Sequence, residues 1–327
     1  MLEWTGERFV PWAKEAAVAY EHLHRYAWVS GMVRNKRVLD LASGEGYGSD
    51  MLARHASSVV GVEIDSKAVV HAVRRYRAPN VNFVQASITQ VPLEKETFDV
   101  IVCFEAIEHI REHDELLAEV KRLLKPDGLF AVSTPNKAAY RSETDGGNPF
   151  HVKELSFEEF DGLLKSRFKH RRYFNQRVLS ASSIWRMGSE NGALVREFPF
   201  ARQGEEFQPI ASDRRIGQYA IALVSDSDKN LSTETGLGSV LIDHSNEFFE
   251  SAIGRRDDHI RGLDEGIEWL KKNARELEET IAAQSQRLDQ AESERASLKQ
   301  QLEEIQLSRG WRFILRIRRL RDALLGK

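Results

Sequence analysis

Between residues 37 and 133 the chain alternates short apolar runs with segments whose apolar residues recur every three or four positions. The first rhythm suits buried strands and the second suits amphipathic helices. Strands are predicted over residues 37–42, 58–64, 81–85, 98–104 and 129–133. Helices are predicted over 13–33, 46–55, 66–77 and 112–124, the third starting at an Asp65 or Ser66 cap. Residues 98–104 are almost wholly apolar, as for a strand covered on both faces. Lys125-Pro126-Asp127-Gly128 reads as the stop of the helix before it. Ser156 and Glu159 make a capping box for a helix over 156–166. Residues 168–178 and 218–224 suit a closing antiparallel pair, and 180–215 read as irregular, around Trp185, Phe198, Pro199, Phe200 and Phe207. This alternation predicts an α/β, doubly wound, mostly parallel sheet.

The pattern changes beyond residue 225. A polar stretch follows, and then heptads with Ile260 at a and Leu263 at d run on through Ile267, Leu270, Leu277, Ile281 and Leu288 to Ile305. Only Gln284 and Arg295 interrupt the seam. Seven such heptads predict a coiled coil, hence a homo-oligomer. In residues 308–327 seven Arg and Lys face one Asp322 and alternate with Trp311, Phe313, Ile314, Leu315, Ile317, Leu320 and Leu324. A basic amphipathic helix of this kind suits an anionic membrane surface or a docking protein. The resulting division is 1–34 arm and lid helix, 35–225 catalytic domain, 226–255 linker, 256–307 coiled coil and 308–327 basic tail.

Composition narrows the setting. The net charge of −3 gives the whole chain no bulk pull towards nucleic acid. A single cysteine, Cys103, excludes a disulfide framework. Neither a signal sequence nor an apolar run of the ~20 residues needed to span a bilayer is apparent, so the expected location is cytoplasmic, peripheral to the membrane through the tail. Trp4, Phe9 and Trp12 are expected to pin residues 1–12 as an ordered arm. Most of residues 20–26, Tyr-Glu-His-Leu-His-Arg-Tyr, read as a solvated helix face, with a lid over the ligand cleft as the functional alternative.

The chemistry centres on residues 38–49, Val-Leu-Asp-Leu-Ala-Ser-Gly-Glu-Gly-Tyr-Gly-Ser. Gly44, Gly46 and Gly48 permit a sharp turn and a close ligand. A dinucleotide fingerprint needs G-x-G-x-x-G, whereas here the spacing is G-x-G-x-G. Asp40 before the turn would repel a pyrophosphate and suits an amine-bearing or cationic ligand. With residues 61–65, 98–109 and 123–128, this series resembles the class I S-adenosylmethionine-dependent methyltransferases over about residues 35–225. The resemblance implies a Rossmann-like, seven-stranded fold with S-adenosylmethionine as cofactor. It passes Gly44 and Gly46 beneath the methionine part, puts Glu63 on the ribose hydroxyls, Ile64 on adenine and Ser87 where many relatives have Asp, and counts Asp40, Ala42 and Phe104 among the cofactor-binding residues.

After the fourth strand, Glu105, Glu108 and His109 stand at i, i+3 and i+4 and would share one face of a helical turn. The pattern resembles metal-dependent O-methyltransferases, with His151 completing the site for Mg²⁺ or Mn²⁺. Without metal, His109 or His151 would be the general base, with Glu108 beside it. Residues 5–11 and 21–26, the heptads and the tail resemble bacterial surface-polysaccharide methyltransferases, including O-antigen chain terminators. That implies O-methylation of a sugar hydroxyl of a glycan or lipid-linked polysaccharide, beside a glycosyltransferase or the membrane. The alternatives are an RNA 2′-O-methyltransferase and an inactive methyltransferase-fold scaffold.

Overall fold

A computed structural model describes residues 8–11, 16–139, 150–179, 200–203, 206–209, 217–231, 239–241 and 247–324. Helix α1 (Ala16–Ser30) precedes β1 (Arg37–Leu41), α2 (Tyr47–Ala53), β2 (Ser58–Glu63), α3 (Ser66–Arg75) and β3 (Val81–Gln85). Then come β4 (Phe98–Cys103), a 3₁₀ turn (Ile107–His109), α4 (His113–Leu123), β5 (Leu124–Pro135), α5 (Phe157–Lys165) and β6 (His170–Gln176). A hairpin of β7 (Phe200–Gln203) and β8 (Glu206–Pro209) leads to β9 (Tyr219–Ser225).

Seven strands form one sheet in the order β3-β2-β1-β4-β5-β9-β6. The first five of that order are parallel, and β9 runs antiparallel to both β5 and β6. This is the doubly wound, mostly parallel sheet that the alternation predicts, with the seven strands that the resemblance implies. The chain reverses its winding between β1 and β4, which opens a ligand crevice beyond their carboxyl ends. Alternate residues of each strand serve opposite layers. Leu39, Ile101, Cys103, Phe130 and Val132 pack with Leu116, Leu117, Val120, Phe160 and Leu164 of α4 and α5. Val38, Val100, Val102, Leu129 and Ala131 pack with Ala19, Tyr26, Val29 and Leu52 of α1 and α2.

Several expectations change. Strand β5 starts at Leu124, which pairs with Phe98 before a register shift, so Lys125-Pro126-Asp127-Gly128 bulges within the strand instead of preceding it. Phe200 and Phe207 belong to the hairpin, not to irregular chain. Trp185, Phe198, Pro199, Trp4 and Trp12 lie outside the described residues. Helix α1 is no solvated face: Glu21, Arg25 and Tyr26 are all buried. Phe9 is also buried, stacked on His22 and edge-on to Tyr47; of the expected arm, residues 8–11 are the described part. The Ser156 and Glu159 capping box is present.

Tyr26 fixes how closely α1 approaches α2. A Cβ on Gly48 would stand 2.1 Å from the Tyr26 Cζ, and the Tyr26 hydroxyl donates to Asp40 Oδ1 at 3.0 Å. The ring therefore cannot retreat without losing a buried hydrogen bond. Gly48→Ala is expected to lower stability by about 2–3 kcal/mol, seen as a lower urea midpoint at unchanged slope. An unchanged midpoint would contradict this packing.

The chain divides into two units, Met1–Ala252 and Ile253–Lys327. Helix α6 (Glu247–Leu307) has 61 residues and begins inside the segment expected to be a linker, where Glu-Phe-Phe-Glu-Ser-Ala-Ile contains no helix breaker. Its heptad residues stand in the open: Ile260, Leu277 and Ile305 are 46, 64 and 56% exposed. Ser308 separates it from α7 (Arg309–Leu324), and its hydroxyl accepts from Trp311 N–H at 3.1 Å as an N-cap. Among the described residues, no helix is long and apolar enough to cross a membrane.

Candidate active site

The turn after β1 is built from backbone that ordinary residues avoid. Ala42 and Gly44 both have φ of 57°, and Gly46 has φ of 100°. A Cβ on Gly46 would also lie 2.9 Å from that of Ala72. Glu63, at the end of β2, holds the turn in place. Its Oε2 accepts from Gly44 N–H at 3.0 Å, and its Oε1 accepts from Asp65 N–H at 3.0 Å. Ile64 follows with 68% exposure, an apolar side chain open at the crevice beside a buried acid. Ser43 Oγ is buried without a hydrogen-bond partner among the described residues. A glycine cradle, an anchored carboxylate, an open apolar face and an orphaned hydroxyl together fit a nucleoside-bearing ligand such as S-adenosylmethionine.

Ser87 has its hydroxyl on Thr89 Oγ1 at 2.8 Å, and its carbonyl accepts from Gln90 N–H at 3.1 Å. Phe104 is buried, with its ring edge-on to Tyr26 at 5.3 Å. Arg8 was not expected in the cradle. Its stem packs against the open side of Gly44, and its guanidinium reaches Asp65 at 3.0 Å and Glu63 at 3.7 Å.

Asp40 sits beneath the turn, fully buried, accepting from Tyr26 at 3.0 Å and from Ser49 Oγ at 2.6 Å. Burial raises its carboxyl to about 7, although both hydrogen bonds favour the charged form. The folded state therefore holds this proton more tightly than the unfolded chain. Its contribution to stability is complete below pH 3.8 and is lost as pH rises to about 7. Up to about 4 kcal/mol is at stake. Urea titrations at pH 5 and pH 8 should show a drop for the native chain that Asp40→Asn lacks; equal drops would remove Asp40 as the cause.

Beyond β4 the expected single helical turn does not form. Glu105 takes a left-handed φ of 50°, and the 3₁₀ turn starts only at Ile107. Glu105 is thereby turned away from its neighbours. Its N–H donates to Ser133 Oγ, its Oε1 accepts the Ser133 hydroxyl at 2.5 Å, and Arg25 lies 3.5 Å from the same oxygen. The structure instead brings together Glu108, His109 and His151, with one ligand atom from each within 4.8 Å of the others. Glu108 is 1% exposed, and the two imidazoles meet edge to face at 5.2 Å.

Main chain assembles this cluster. The Glu108 carbonyl accepts from Val152 N–H at 2.9 Å and Lys153 N–H at 3.0 Å, which ties the segment carrying His151 to the turn after β4. His109 Nδ1 is 2.9 Å from the Phe150 carbonyl, and His151 Nδ1 is 2.8 Å from Glu154 Oε1. Since a carbonyl only accepts, His109 carries its proton on Nδ1 and its lone pair on Nε2; the Glu154 carboxylate selects the same tautomer for His151. Two imidazoles and one carboxylate, each imidazole braced by an acceptor, make a donor set of the kind that fits a divalent cation. Three of the four expected ligands thus converge, and Glu105 does not.

The sequence reading missed Arg8 and Arg25. The spacing of Arg25 from Tyr26, with the density of polar residues around it, was the available signal, but its partners Gln176 and Tyr219 lie about 150 and 200 residues away.

Residues 39–132 match the family model described as a methyltransferase domain. A probable S-adenosylmethionine-dependent methyltransferase of Mycolicibacterium smegmatis is 36% identical over 174 residues, covering 50% of this chain and 64% of that one. A phthiotriol/phenolphthiotriol dimycocerosates methyltransferase of Mycobacterium ulcerans is 30% identical over 156 residues, covering 45% and 58%. The chain thus spans less than two thirds of the length of these curated relatives. A solved S-adenosylmethionine-dependent methyltransferase from Aquifex aeolicus aligns with 65% of this chain and 92% of its own, at 19% identity and a TM-score of 0.41. Residues 39–132, which hold the glycine turn, Glu63 and the cluster's Glu108 and His109, are therefore similar to a methyltransferase domain, and half of the chain is similar to proteins named as S-adenosylmethionine-dependent methyltransferases.

Proposed function

We propose that the protein transfers a methyl group from S-adenosylmethionine to a hydroxyl oxygen, and that the acceptor is a sugar of a cell-surface polysaccharide. The observation that carries the transfer to oxygen is the Glu108, His109 and His151 cluster at the same sheet edge as the glycine cradle. Glu63 anchors the turn that cradles the donor, and Ile64 offers its apolar face to the base. Without a metal, the acceptor hydroxyl is met by His109 or His151, whose imidazole accepts its proton as oxygen attacks the methyl carbon. Most of the acceleration comes from holding oxygen, carbon and sulfur in line. A divalent cation, when bound by Glu108, His109 and His151, supplies Lewis acidity that eases loss of the hydroxyl proton.

The sugar acceptor is supported by the resemblance of residues 5–11 and 21–26 to surface-polysaccharide methyltransferases. Helix α6, with its open heptad stripe, is the element for self-association. Helix α7, with its arginines and apolar stripe, suits an anionic membrane surface or a glycosyltransferase near it. Self-association and a tail of this kind suit an enzyme that meets a growing glycan near the membrane, so chain termination is the proposed consequence.

Calorimetry with S-adenosylhomocysteine tests the donor; no heat would sink the enzyme reading and leave a scaffold. Turnover unaffected by a chelator would assign proton acceptance to the imidazoles alone. Mass spectrometry of the surface glycan from cells lacking the gene tests the acceptor: lost methyl groups and longer chains are expected, and an unaltered glycan would refute the terminator.

A further inference from the structure

Glu45 lies inside the glycine turn, between Gly44 and Gly46, and its side chain is fully buried. A carboxylate meant for a ligand would open onto the crevice, whereas this one is held against α3. Its Oε1 accepts from His71 Nε2 at 2.7 Å, and its Oε2 accepts from the Tyr76 hydroxyl at 2.5 Å. Arg75 Nε stands 3.5 Å from Oε1. An ionised carboxylate only accepts, so His71 presents Nε2–H. Burial, with the Glu45 carboxylate beside it, pushes the Tyr76 hydroxyl well above its usual range and keeps it a donor. His71 and Tyr76 are 26 and 31 residues further along the chain.

These bonds close a ring through the candidate donor site. Glu63 accepts from the N–H groups of Gly44 and Asp65. The Asp65 side chain accepts from Lys67 N–H at 2.9 Å as the N-cap of α3. Tyr76 follows the last turn of α3, with its N–H on the Ala72 carbonyl at 2.9 Å, and returns the chain of bonds to Glu45, the neighbour of Gly44. The contact has little slack, because a Cβ on Gly46 would lie 2.9 Å from that of Ala72 and 3.0 Å from the Phe83 ring. Helix α3 thus grips the turn twice, through Asp65 and Glu63 at its start and through His71 and Tyr76 further along. Removing one member of such a buried network leaves its partners unsatisfied, which costs more than the bond itself contributes.

We propose that Glu45 is a positioning residue for the methyl donor: by bolting the turn to α3 it sets the spacing between the Gly44 backbone and the Glu63 carboxylate, the two groups assigned to the donor. The proposal rests on the methyl-donor reading above. Tyr76 then acts on donor affinity through Glu45, although about 15 Å of helix separates it from Asp65.

Calorimetry with S-adenosylhomocysteine on the full chain tests this, at a temperature where circular dichroism shows each variant folded. Affinity is expected to fall about 10-fold in Glu45→Gln, whose amide keeps one acceptor oxygen, and about 100-fold in Glu45→Ala. Tyr76→Phe is expected to weaken binding about 3- to 10-fold in the native chain and to add nothing in the Glu45→Ala background. Leu164→Ala, in the core beneath α4 and α5, lowers the urea midpoint and should bind as the native chain does. Glu45→Gln and Tyr76→Phe behaving like Leu164→Ala, with a lower midpoint and unchanged affinity, would make Glu45 a packing element and overturn the proposal. Leu164→Ala weakening binding as much as they do, at a similar loss of midpoint, overturns it too, as does Tyr76→Phe acting equally with and without Glu45. Should Glu45→Ala not fold, Glu45→Gln supplies the second background, in which Tyr76→Phe must have a smaller effect than in the native chain. A native chain that binds no S-adenosylhomocysteine overturns the methyl-donor reading and this proposal with it, whereas native binding that the variants share overturns the proposal alone.

Discussion

Glu63→Gln is expected to weaken S-adenosylhomocysteine binding by at least about 100-fold. The carboxylate accepts from two backbone N–H groups, Gly44 through one oxygen and Asp65 through the other. An amide has one oxygen and one NH₂ group, so one of those N–H donors would face another donor. The turn would then lose an anchor just where Gly44 needs its left-handed geometry. The ribose hydroxyls would lose a charged acceptor as well. Hydrogen bonds to charged groups contribute about 1.5–3 kcal/mol each, so losing two predicts about two to four decades in affinity. Calorimetry on folded variant protein is the measurement; a change below about threefold would show that Glu63 shapes neither turn nor ligand.

His109→Ala is expected to lower kcat by about 10²- to 10⁴-fold while leaving S-adenosylhomocysteine affinity unchanged. His109 lies after β4 and outside the glycine cradle, so its loss touches the acceptor step. Its orientation depends on the Phe150 carbonyl, and that of His151 on Glu154, so Glu154→Gln should have a smaller effect in the same direction. If the two imidazoles act as a unit, the double variant His109→Ala with His151→Ala should be scarcely slower than the worse single variant. Fully additive losses would mean separate roles. Measured turnover with a methyl donor and an accepted glycan decides between these outcomes.

Much of the catalytic unit is legible in the order of its residues. Strand β3 appears over Val81–Gln85 as its pattern predicts, and the others agree within a few residues apart from β5. Period-two and period-3.6 rhythms are local, so they survive whatever the rest of the chain does. The glycine turn is equally local: a positive φ and a 2.9 Å approach leave Gly46 little choice, and Glu63 follows from the end of the next strand. Ser156 and Glu159 form their capping box from four consecutive residues.

What the sequence could not decide involves partners distant along the chain. Spacing put Glu105 with Glu108 and His109 on the assumption of a continuous helical turn. Ser133 and Arg25, 28 and 80 residues away, draw Glu105 into a left-handed conformation and leave His151 as the third member. The polar stretch of α1 looks solvated by composition, because nothing local reveals that Gln176 and Tyr219 bury Arg25. The sequence by itself determined the sheet, the cradle and the two terminal helices, all of which rest on short-range periodicity and backbone sterics. Only the tertiary structure decided which acids and imidazoles face one another, and which residues bury Arg25, because those depend on strands and loops meeting at one sheet edge.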